Sequence, residues 1–352
     1  MNPYWSKNIH RLDPYVPGEQ PQDQAYIKLN TNENPYPPAP AVTRTIQNYD
    51  IDALRRYPDA ESTALRQVLA NYHNLSNNQV FVGNGSDEVL AHAFQAFFKR
   101  PQPLLFPDIS YSFYPVYCAL YDIDFEQIPL HDDLSIDIND YNRPNGGIIL
   151  PNPNAPTGIA LSQQAIQTLV EQADGVVIID EAYVDFGTES ADSFINACDN
   201  LLVVRTFSKS RSLAGLRLGY ALGNNHLIEA LRRIKNSFNS YPVDQLTSAA
   251  AIASIKDQAY FEHCSRQIIS HRENLSKALK TLGFQVYPSS SNFVFVEHAE
   301  KAAVDIYQAL KQAGILVRYF NAARINNCLR ISVGTKQECQ VLITTLDEIL
   351  AK

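Results

Sequence analysis

The sequence contains few of the residues that would indicate a disulfide-stabilised or metal-binding protein. Among 352 residues there are five cysteines, one methionine and one tryptophan. The cysteines are odd in number and widely spaced, and none forms a C-x-x-C pair, so neither a disulfide framework nor a zinc site is indicated. We therefore expect reduced thiols and no metal ion.

Positive charge is also scarce. Lysine and arginine total 29 against 37 acidic residues, which gives a formal net charge of −8. Nucleic-acid binding requires a positive surface, so that class of function is disfavoured. The longest apolar runs, such as 175–179 and 201–204, fall far short of the roughly 20 residues that span a bilayer. The first residues lack the features of a secretory signal, and we expect a soluble, cytoplasmic protein.

Short apolar runs alternate with helical patterns through the middle of the chain. The runs are 80–82, 104–106, 148–150, 176–179, 201–204 and 218–222. Helical patterns at 62–73, 89–98, 114–121, 162–172 and 226–235 lie before, between or after them. Buried strands that alternate with helices predict an α/β fold, with a mostly parallel sheet flanked by helices.

Three segments are expected. Residues 1–44 are rich in proline, which disfavours regular structure, and form an N-terminal arm. Residues 45–255 form the large domain that contains the sheet. Residues 256–352 contain a long helical pattern, several short strands and a C-terminal helix, which predict a small α+β domain.

Polar segments follow several of these strands, at the sheet edge where ligands bind in open α/β folds. Gly85, Ser86 and Asp87 follow the first strand, and the start of the next helix suits an anion such as phosphate. An ordinary capped turn is the alternative. Asn154 lies in a proline-rich turn that presents an amide after strand 148–150, although a plain loop would look the same.

Three charged residues complete the pattern. Asp180 follows four apolar residues, where a carboxylate is costly unless a partner satisfies it, although a helix cap is an alternative. Lys209 follows strand 201–204 and could act as a nucleophile toward an aldehyde, although a lone lysine is more often solvated. Arg217 lies eight residues further on. Together, these positions match the parts of pyridoxal 5′-phosphate (PLP), because they supply a phosphate cradle, an amide, a carboxylate, an amine and a second cation.

At these positions the sequence resembles the fold-type I, PLP-dependent aminotransferases. The resemblance is carried by 152–158 (NPNAPTG), 180–183 (DEAY), Ser208-Lys209 and 213–220 (LAGLRLGY). Within that superfamily the pattern is similar to the histidinol-phosphate aminotransferases. Supporting motifs lie at 29–35, 56–58, 85–88, 291–293, 314–318 and 329–334, so the resemblance covers nearly the whole chain.

The resemblance implies roles for particular residues. Lys209 would form a Schiff base with the cofactor and move the α-proton, and Asp180 would pair with the pyridine nitrogen. Asn154 and Tyr183 would bind the 3′-oxygen of the ring, and Tyr111 would stack on it. The cofactor phosphate would be held by Gly85, Ser86, Asp87, Ser208 and Arg217, with Tyr57 of the partner subunit. Substrate would be bound by Tyr15, Asn32, Arg318 and Arg330. The chain departs from many relatives at Ala155, where they have a second asparagine.

The resemblance further implies a homodimer in which the arm packs against the small domain and the partner subunit. The expected activity is a ping-pong transamination between L-histidinol phosphate and 2-oxoglutarate, with glutamate as the amino donor, in histidine biosynthesis. One alternative is an aminotransferase for aromatic or other amino acids. Another is a PLP-dependent amino-acid phosphate decarboxylase, and a third is a non-catalytic binding or regulatory protein of the same fold.

Overall fold

The structure is a computed structural model that describes residues 2–21 and 23–351. Its strands are β1 (Ile27–Lys28), β2 (Val80–Asn84), β3 (Leu104–Pro107), β4 (Phe125–Ile128), β5 (Gly147–Pro151), β6 (Val177–Asp180), β7 (Leu201–Thr206), β8 (Leu218–Gly223), β9 (Phe284–Val286), β10 (Phe293–His298), β11 (Ile315–Leu316), β12 (Arg318–Tyr319) and β13 (Cys328–Ser332). Its helices are α1 (Pro40–Gln47), α2 (Thr63–Tyr72), α3 (Gly85–Phe97), α4 (Tyr114–Tyr121), α5 (Gln163–Gln172), α6 (Asn225–Phe238), α7 (Gln245–Lys256), α8 (Gln258–Thr281), α9 (Ala303–Gln312) and α10 (Lys336–Leu350).

The central sheet has the strand order β2-β8-β7-β6-β5-β3-β4. Strand β8 runs antiparallel to both of its neighbours, and the other neighbouring strands pair in parallel. The predicted mostly parallel sheet is therefore confirmed. Strand β4 was not predicted, because it lies at the sheet edge with three of its four residues exposed and so lacks a continuous apolar run.

Apolar layers cover both faces of this sheet. Alternate residues of a strand point to opposite faces, and Ile149 therefore packs in a different layer from Leu150. Helices α2, α5 and α7 pack on the face of Leu150, and α3, α4 and α6 pack on the face of Ile149. Burial on both faces explains why strands β5, β6 and β7 are apolar almost throughout.

The predicted helices are all present, with differences at their ends. Helix α3 begins at Gly85, four residues before the predicted start, because Asp87 and Glu88 are compatible with the positive end of a helix dipole. Two helices were not predicted. Helix α1 begins with Pro40, which is tolerated in the first turn, and α7 has small residues on all sides and therefore no one-sided apolar pattern.

A second sheet lies in the C-terminal part of the chain. Its strands are antiparallel, in the order β12-β13-β10-β9, and helices α8, α9 and α10 contribute to its apolar core. The segment 315–318 divides between two sheets. Strand β11 pairs with β1 of the N-terminal arm, whereas β12 pairs with β13. The arm is thereby hydrogen-bonded to the C-terminal part of the chain.

None of the helices in the described residues has the length and apolar character needed to cross a membrane. All five cysteines are unpaired, and Cys198 alone among them is not fully buried.

Candidate active site

A cleft of about 260 Å³ opens where β5, β6 and β7 end, between the central sheet, the N-terminal arm and the C-terminal sheet. It brings together most of the residues predicted for the site. Those that line it are Tyr15, Asn32, Ser86, Asp87, Tyr111, Asp180, Tyr183, Ser208, Lys209, Arg217, Arg318 and Arg330. The remaining predicted residues, Gly85, Asn154 and Tyr57, do not line it.

Lys209 lies in the loop that follows β7. Its Nζ donates a hydrogen bond to the main-chain oxygen of Thr31 in the arm, at 3.0 Å. The side chain of Asn34 donates to the main-chain oxygen of Lys209 at 3.1 Å. The loop is thus tied to the arm, and the amine faces the cleft beside the ring of Tyr183, whose centroid is 5.8 Å away.

A buried ionic cluster supports the lysine loop from the side of the sheet. The Arg205 guanidinium forms an ion pair with Asp185, and its Nε lies 4.0 Å from Glu181 Oε2. The hydroxyl of Ser210, next to Lys209, donates to Asp185. Arg205 therefore neutralises the carboxylate that fixes the residue after the lysine. This cluster was not predicted, because Arg205 and Asp185 are brought together only by the pairing of β6 with β7.

Asp180 ends strand β6 and is buried. Its Oδ2 accepts a hydrogen bond from the Tyr114 hydroxyl at 3.0 Å, and its Oδ1 accepts one from the Ala182 N–H at 3.3 Å. Burial raises the pKa of Asp180 to about 6, whereas these two hydrogen bonds act in the opposite direction. No cationic side chain among the described residues contributes to this pKa. The carboxylate is therefore suited to a positively charged ligand group.

The first turn of α3 forms an anion cradle beside this carboxylate. Gly85 has φ +81°, and a Cβ there would lie 2.6 Å from Arg217 Nη2. Arg217 Nη2 lies 3.1 Å from Asp87 Oδ2. The unpaired N–H groups of a first helical turn favour anions, and an adjacent guanidinium adds positive charge. Gly85 shapes this cradle without facing the cleft.

Aromatic rings form one wall of the cleft. The Tyr111 hydroxyl donates to Asp87 Oδ1 at 3.0 Å, which fixes the ring beside the anion cradle. Tyr15 of the arm stacks on Phe113, with 4.7 Å between the ring centroids, and lies 6.4 Å from Tyr111. A flat ligand can stack on such a wall.

Arg318 and Arg330 are opposite one another on the paired strands β12 and β13. Arg330 Nη2 donates to the main-chain oxygen of Asn30 at 3.0 Å, but its buried Nε has no hydrogen-bond partner in the part of the chain that the structure describes. Desolvation lowers the pKa of Arg330. A guanidinium with an unpaired, buried N–H is suited to an anionic ligand, because the bidentate geometry of arginine matches carboxylate and phosphate.

Asn32 lines the cleft, but its side chain is engaged within the protein. Its Nδ2 donates to the Tyr183 hydroxyl at 3.0 Å, and its Oδ1 accepts from the Ser332 hydroxyl at 2.9 Å. Its backbone is left-handed, with φ 57°. Asn32 therefore acts on the cleft chiefly through the orientation of Tyr183.

Asn154 lies behind the wall of the cleft, and Ala155 and Pro156 face the cavity instead. Its Nδ2 donates to the main-chain oxygen of Ile109 at 3.0 Å and to the Thr157 hydroxyl at 3.2 Å. These contacts hold the amide away from the cavity.

Tyr57 lies on the outer surface, with 82% of its side chain exposed, and stacks on Tyr241 at 4.8 Å. The predicted contact of Tyr57 with the cofactor phosphate of the other subunit stays a prediction.

Several lining or supporting residues were not predicted from the sequence. Thr31 and Glu33 of the arm and Phe320 line the cleft. Glu33 forms an ion pair with Lys28 at 2.7 Å. Tyr114, which donates to Asp180, begins α4 three residues after Tyr111, and no motif in the sequence indicated its contact with Asp180.

Lys209 supplies an amine and Asp180 a buried carboxylate at the ends of adjacent strands, and the anion cradle lies beside them. This fold and this site define a PLP-dependent enzyme of fold type I. The chain belongs to the aminotransferase class I and II family, whose model matches residues 24–346. It is 55% identical over 351 residues to histidinol-phosphate aminotransferase 1 of Hydrogenovibrio crunogenus, which covers 99% of each chain. It is 56% identical over 347 residues to histidinol-phosphate aminotransferase of Acinetobacter baylyi, covering 97% of this chain and 96% of that protein. The resemblance inferred from the motifs is confirmed.

Solved structures show the same architecture. The crystal structure of histidinol-phosphate aminotransferase from Sinorhizobium meliloti, in complex with pyridoxal-5′-phosphate, has a TM-score of 0.90 at 25% identity, covering 100% of this chain and 98% of that one. The L-threonine-O-3-phosphate decarboxylase from Porphyromonas gingivalis has a TM-score of 0.80 at 24% identity, covering 93% of this chain and 100% of that one. The likeness to the decarboxylase shows only that the two proteins share a fold.

Proposed function

We propose that this protein transfers an amino group between L-histidinol phosphate and 2-oxoglutarate, with PLP as its cofactor. The observation that carries the proposal is the pair Arg318 and Arg330, which faces the same cleft as Lys209 and Asp180. The names of the relatives described above support the choice of substrates. Both substrates carry anionic groups that an arginine pair can bind in turn.

The residues of the cleft fit the cofactor. The buried Asp180 carboxylate, which no cation among the residues that the structure describes neutralises, would pair with the protonated pyridine nitrogen. The first turn of α3, with Ser86 and Asp87, would bind the phosphate together with Ser208 and Arg217. Tyr111 would stack on the ring, and Tyr183 would donate to the ring oxygen.

When bound, PLP supplies an electron sink that stabilises negative charge on the α-carbon of the substrate. Lys209 would hold the cofactor aldehyde covalently at rest. Its Nζ would then take a proton from the α-carbon and return one as general base and acid. The hydrogen bond to the Thr31 main-chain oxygen keeps the amine beside the arm, where it can reach substrate. Asp180 would hold the ring nitrogen in its protonated form.

Substrate would lie between the arginines and the aromatic wall. Arg330 offers an unpaired Nε–H, and Arg318 lies beside it on β12. These groups would bind the phosphate of histidinol phosphate in one half-reaction and a carboxylate of glutamate in the other. Tyr15 of the arm would cover the substrate and exclude water, and Asn32 would orient Tyr183.

A homodimer is also part of the proposal. Ile51, Tyr57 and Phe238 are 68%, 82% and 77% exposed, and Leu54 and Tyr241 are exposed as well. Tyr57 stacks on Tyr241, and Gln245 binds the main-chain oxygen of Arg56, so these segments form one apolar surface. Large exposed apolar surfaces mark protein interfaces. A second copy of the chain on this surface would bring Tyr57 of the partner subunit to the cofactor phosphate.

We also place the enzyme in the cytoplasm. Its five cysteines are unpaired, which suits a reducing compartment.

The proposal is tested with purified protein, PLP and 2-oxoglutarate. Histidinol phosphate, phenylalanine, tyrosine and leucine are offered separately, and glutamate formation is measured. We expect histidinol phosphate to give the highest kcat/KM. A higher kcat/KM for tyrosine or phenylalanine would contradict the substrate assignment, and release of carbon dioxide without glutamate would indicate a decarboxylase.

Lys209→Ala is the matched control for this assay. It should keep the fold but lose transamination. Borohydride reduction of the wild-type holoenzyme should attach the cofactor to Lys209, as read by peptide mass spectrometry. A label on another lysine would overturn the role of this residue.

A further inference from the structure

Asp180 is held by a buried tyrosine that contacts neither the cavity nor solvent. Tyr114 begins helix α4, and its side chain is fully buried. Its hydroxyl donates to Asp180 Oδ2 at 3.0 Å. The other donor to the carboxylate is the Ala182 N–H, at the longer distance of 3.3 Å. The Tyr114 bond is therefore the shorter of the two hydrogen bonds that favour the ionised form of the buried Asp180.

The ring of Tyr114 is fixed by three aromatic neighbours. Its centroid lies 5.9 Å from Phe94, 5.8 Å from Phe106 and 5.6 Å from Tyr111. Its contact with Tyr111 is edge-to-face, at 88°. Close packing on these sides prevents the phenol from turning away, so the donor is already aimed at Asp180 before any ligand binds.

The charged and titratable groups near Asp180 affect its ionisation in opposite directions. Asp87 on α3 disfavours ionisation of Asp180, because like charges repel, and the Tyr114 hydrogen bond favours it. Tyr117 on α4 and Lys209 and Tyr183 in the cleft are further titratable neighbours. Burial and the nearby Asp180 charge raise the pKa of Tyr114 well above its ordinary range, so this phenol stays protonated and always donates.

We propose that Tyr114 is a positioning residue, which keeps the Asp180 carboxylate ionised and turned toward the cleft and thereby sets how firmly the protein holds a protonated pyridine nitrogen. The identity of that ligand rests on the proposed function. The effect on Asp180 does not, because both residues are in contact in the protein itself.

Tyr114→Phe tests the proposal, since it removes the hydroxyl and keeps the ring. The cofactor-free protein is labelled with ¹³C at the aspartate carboxyl carbons, and Asp180 is assigned by the signal missing from Asp180→Asn. Hydrogen bonds to charged groups are worth enough that the pKa of Asp180 should rise by about one to two units in the variant. The pH at which affinity for PLP changes should move by a similar amount.

Tyr117→Phe is the matched control. It removes the same hydroxyl one helical turn later, where the donated bond ends on the main-chain oxygen of Asp87 at 2.9 Å. The Asp180 titration should not move in this variant. An equal shift in both variants, or a wild-type titration in Tyr114→Phe, would overturn the proposal.

A second substitution reverses the sign of the effect. Incorporation of 3-fluorotyrosine at position 114 keeps the hydroxyl but makes it more acidic, so the bond it donates becomes stronger and the pKa of Asp180 should fall. A structural role alone would not produce opposite shifts. If Tyr114→Phe does not fold, this measurement decides the question, and an unchanged or raised pKa overturns the proposal. Because all these titrations use cofactor-free protein, their outcome is separate from that of the substrate assay.

Discussion

Protonation of Asp180 is coupled to folding in the cofactor-free protein. Burial raises its pKa to about 6 from an ordinary 3.8. A folded-state pKa above the unfolded value means that the folded protein binds the proton more tightly. The stability that this group contributes is therefore fully present below about pH 4 and is lost as the pH rises through about 6.

Asp180→Asn should remove this dependence. Between about pH 4 and pH 7, the free energy of unfolding of the wild type should fall by up to about 3 kcal/mol relative to the variant. Urea denaturation of both cofactor-free proteins at several pH values measures the difference. Parallel pH profiles for the two proteins would show that folding does not raise the pKa of Asp180.

Arg330 gives a second prediction at the level of a single residue. Arg330→Ala removes the unpaired Nε–H and the charge, so KM for glutamate should rise about 10- to 100-fold, as expected for a lost charged hydrogen bond. Cofactor absorbance should not change, because we assign Arg330 to the substrate and its hydrogen bond is to the Asn30 main-chain oxygen, not to Lys209 or Asp180. Arg266→Ala on the exposed side of α8 is the control and should leave KM as it is. A wild-type KM in Arg330→Ala would remove this residue from the substrate site.

At the level of elements, the contact between β8 and the start of α3 forms the anion cradle. Gly219 of β8 lies against this turn, and a Cβ there would come within 2.2 Å of the Ser86 main-chain nitrogen. Backbone atoms cannot rotate away as a side chain can. Any larger residue at this position must therefore displace the first turn of α3.

Gly219→Ala should accordingly weaken PLP binding by tenfold or more and destabilise the fold by about 1–3 kcal/mol, the usual cost of overpacking. Titration of the cofactor-free protein with PLP and urea denaturation measure the two effects. Gly215→Ala, in the same segment, is the control, because a Cβ there meets no atom within 4 Å. Equal affinities in the two variants would show that the turn does not hold the phosphate.

At the scale of the whole molecule, the N-terminal arm connects the two parts of the chain that border the cleft. The arm is joined to the C-terminal part of the chain through β1 and β11, and it contacts the lysine loop through Thr31. The surface that carries Tyr57 lies outside the cleft of its own chain. If the homodimer forms as proposed, each site is completed by a residue of the other subunit.

Mixing two inactive variants tests this arrangement. In a heterodimer of Tyr57→Phe with Lys209→Ala, the first subunit keeps its lysine and receives an intact Tyr57 from the second. One wild-type site per heterodimer should therefore form, and activity should exceed that of either variant alone after the two are unfolded and refolded together. If Tyr57 serves its own subunit, mixing restores nothing. Analytical ultracentrifugation of each variant checks that both remain dimers.

The sequence by itself determined the α/β architecture, because buried strands need apolar runs and those runs alternate with helical patterns. It also indicated Asp180, because a carboxylate directly after an apolar strand is costly without a partner, and it indicated Lys209 and Arg217 as cations that complete the pattern of groups expected around PLP. It identified the family through the same motifs. Edge strand β4 and helix α7 were not predicted, since neither has a one-sided apolar pattern.

Only the tertiary structure decided which side chains meet. It placed Ala155, and not Asn154, on the cavity, because the amide of Asn154 binds Ile109 and Thr157. It brought the Tyr114 hydroxyl into hydrogen-bond contact with Asp180, although the two residues are 66 positions apart in the chain. Periodicity reports the environment of a residue along its own element, whereas contacts between elements depend on the register and packing of distant segments, which local patterns do not encode.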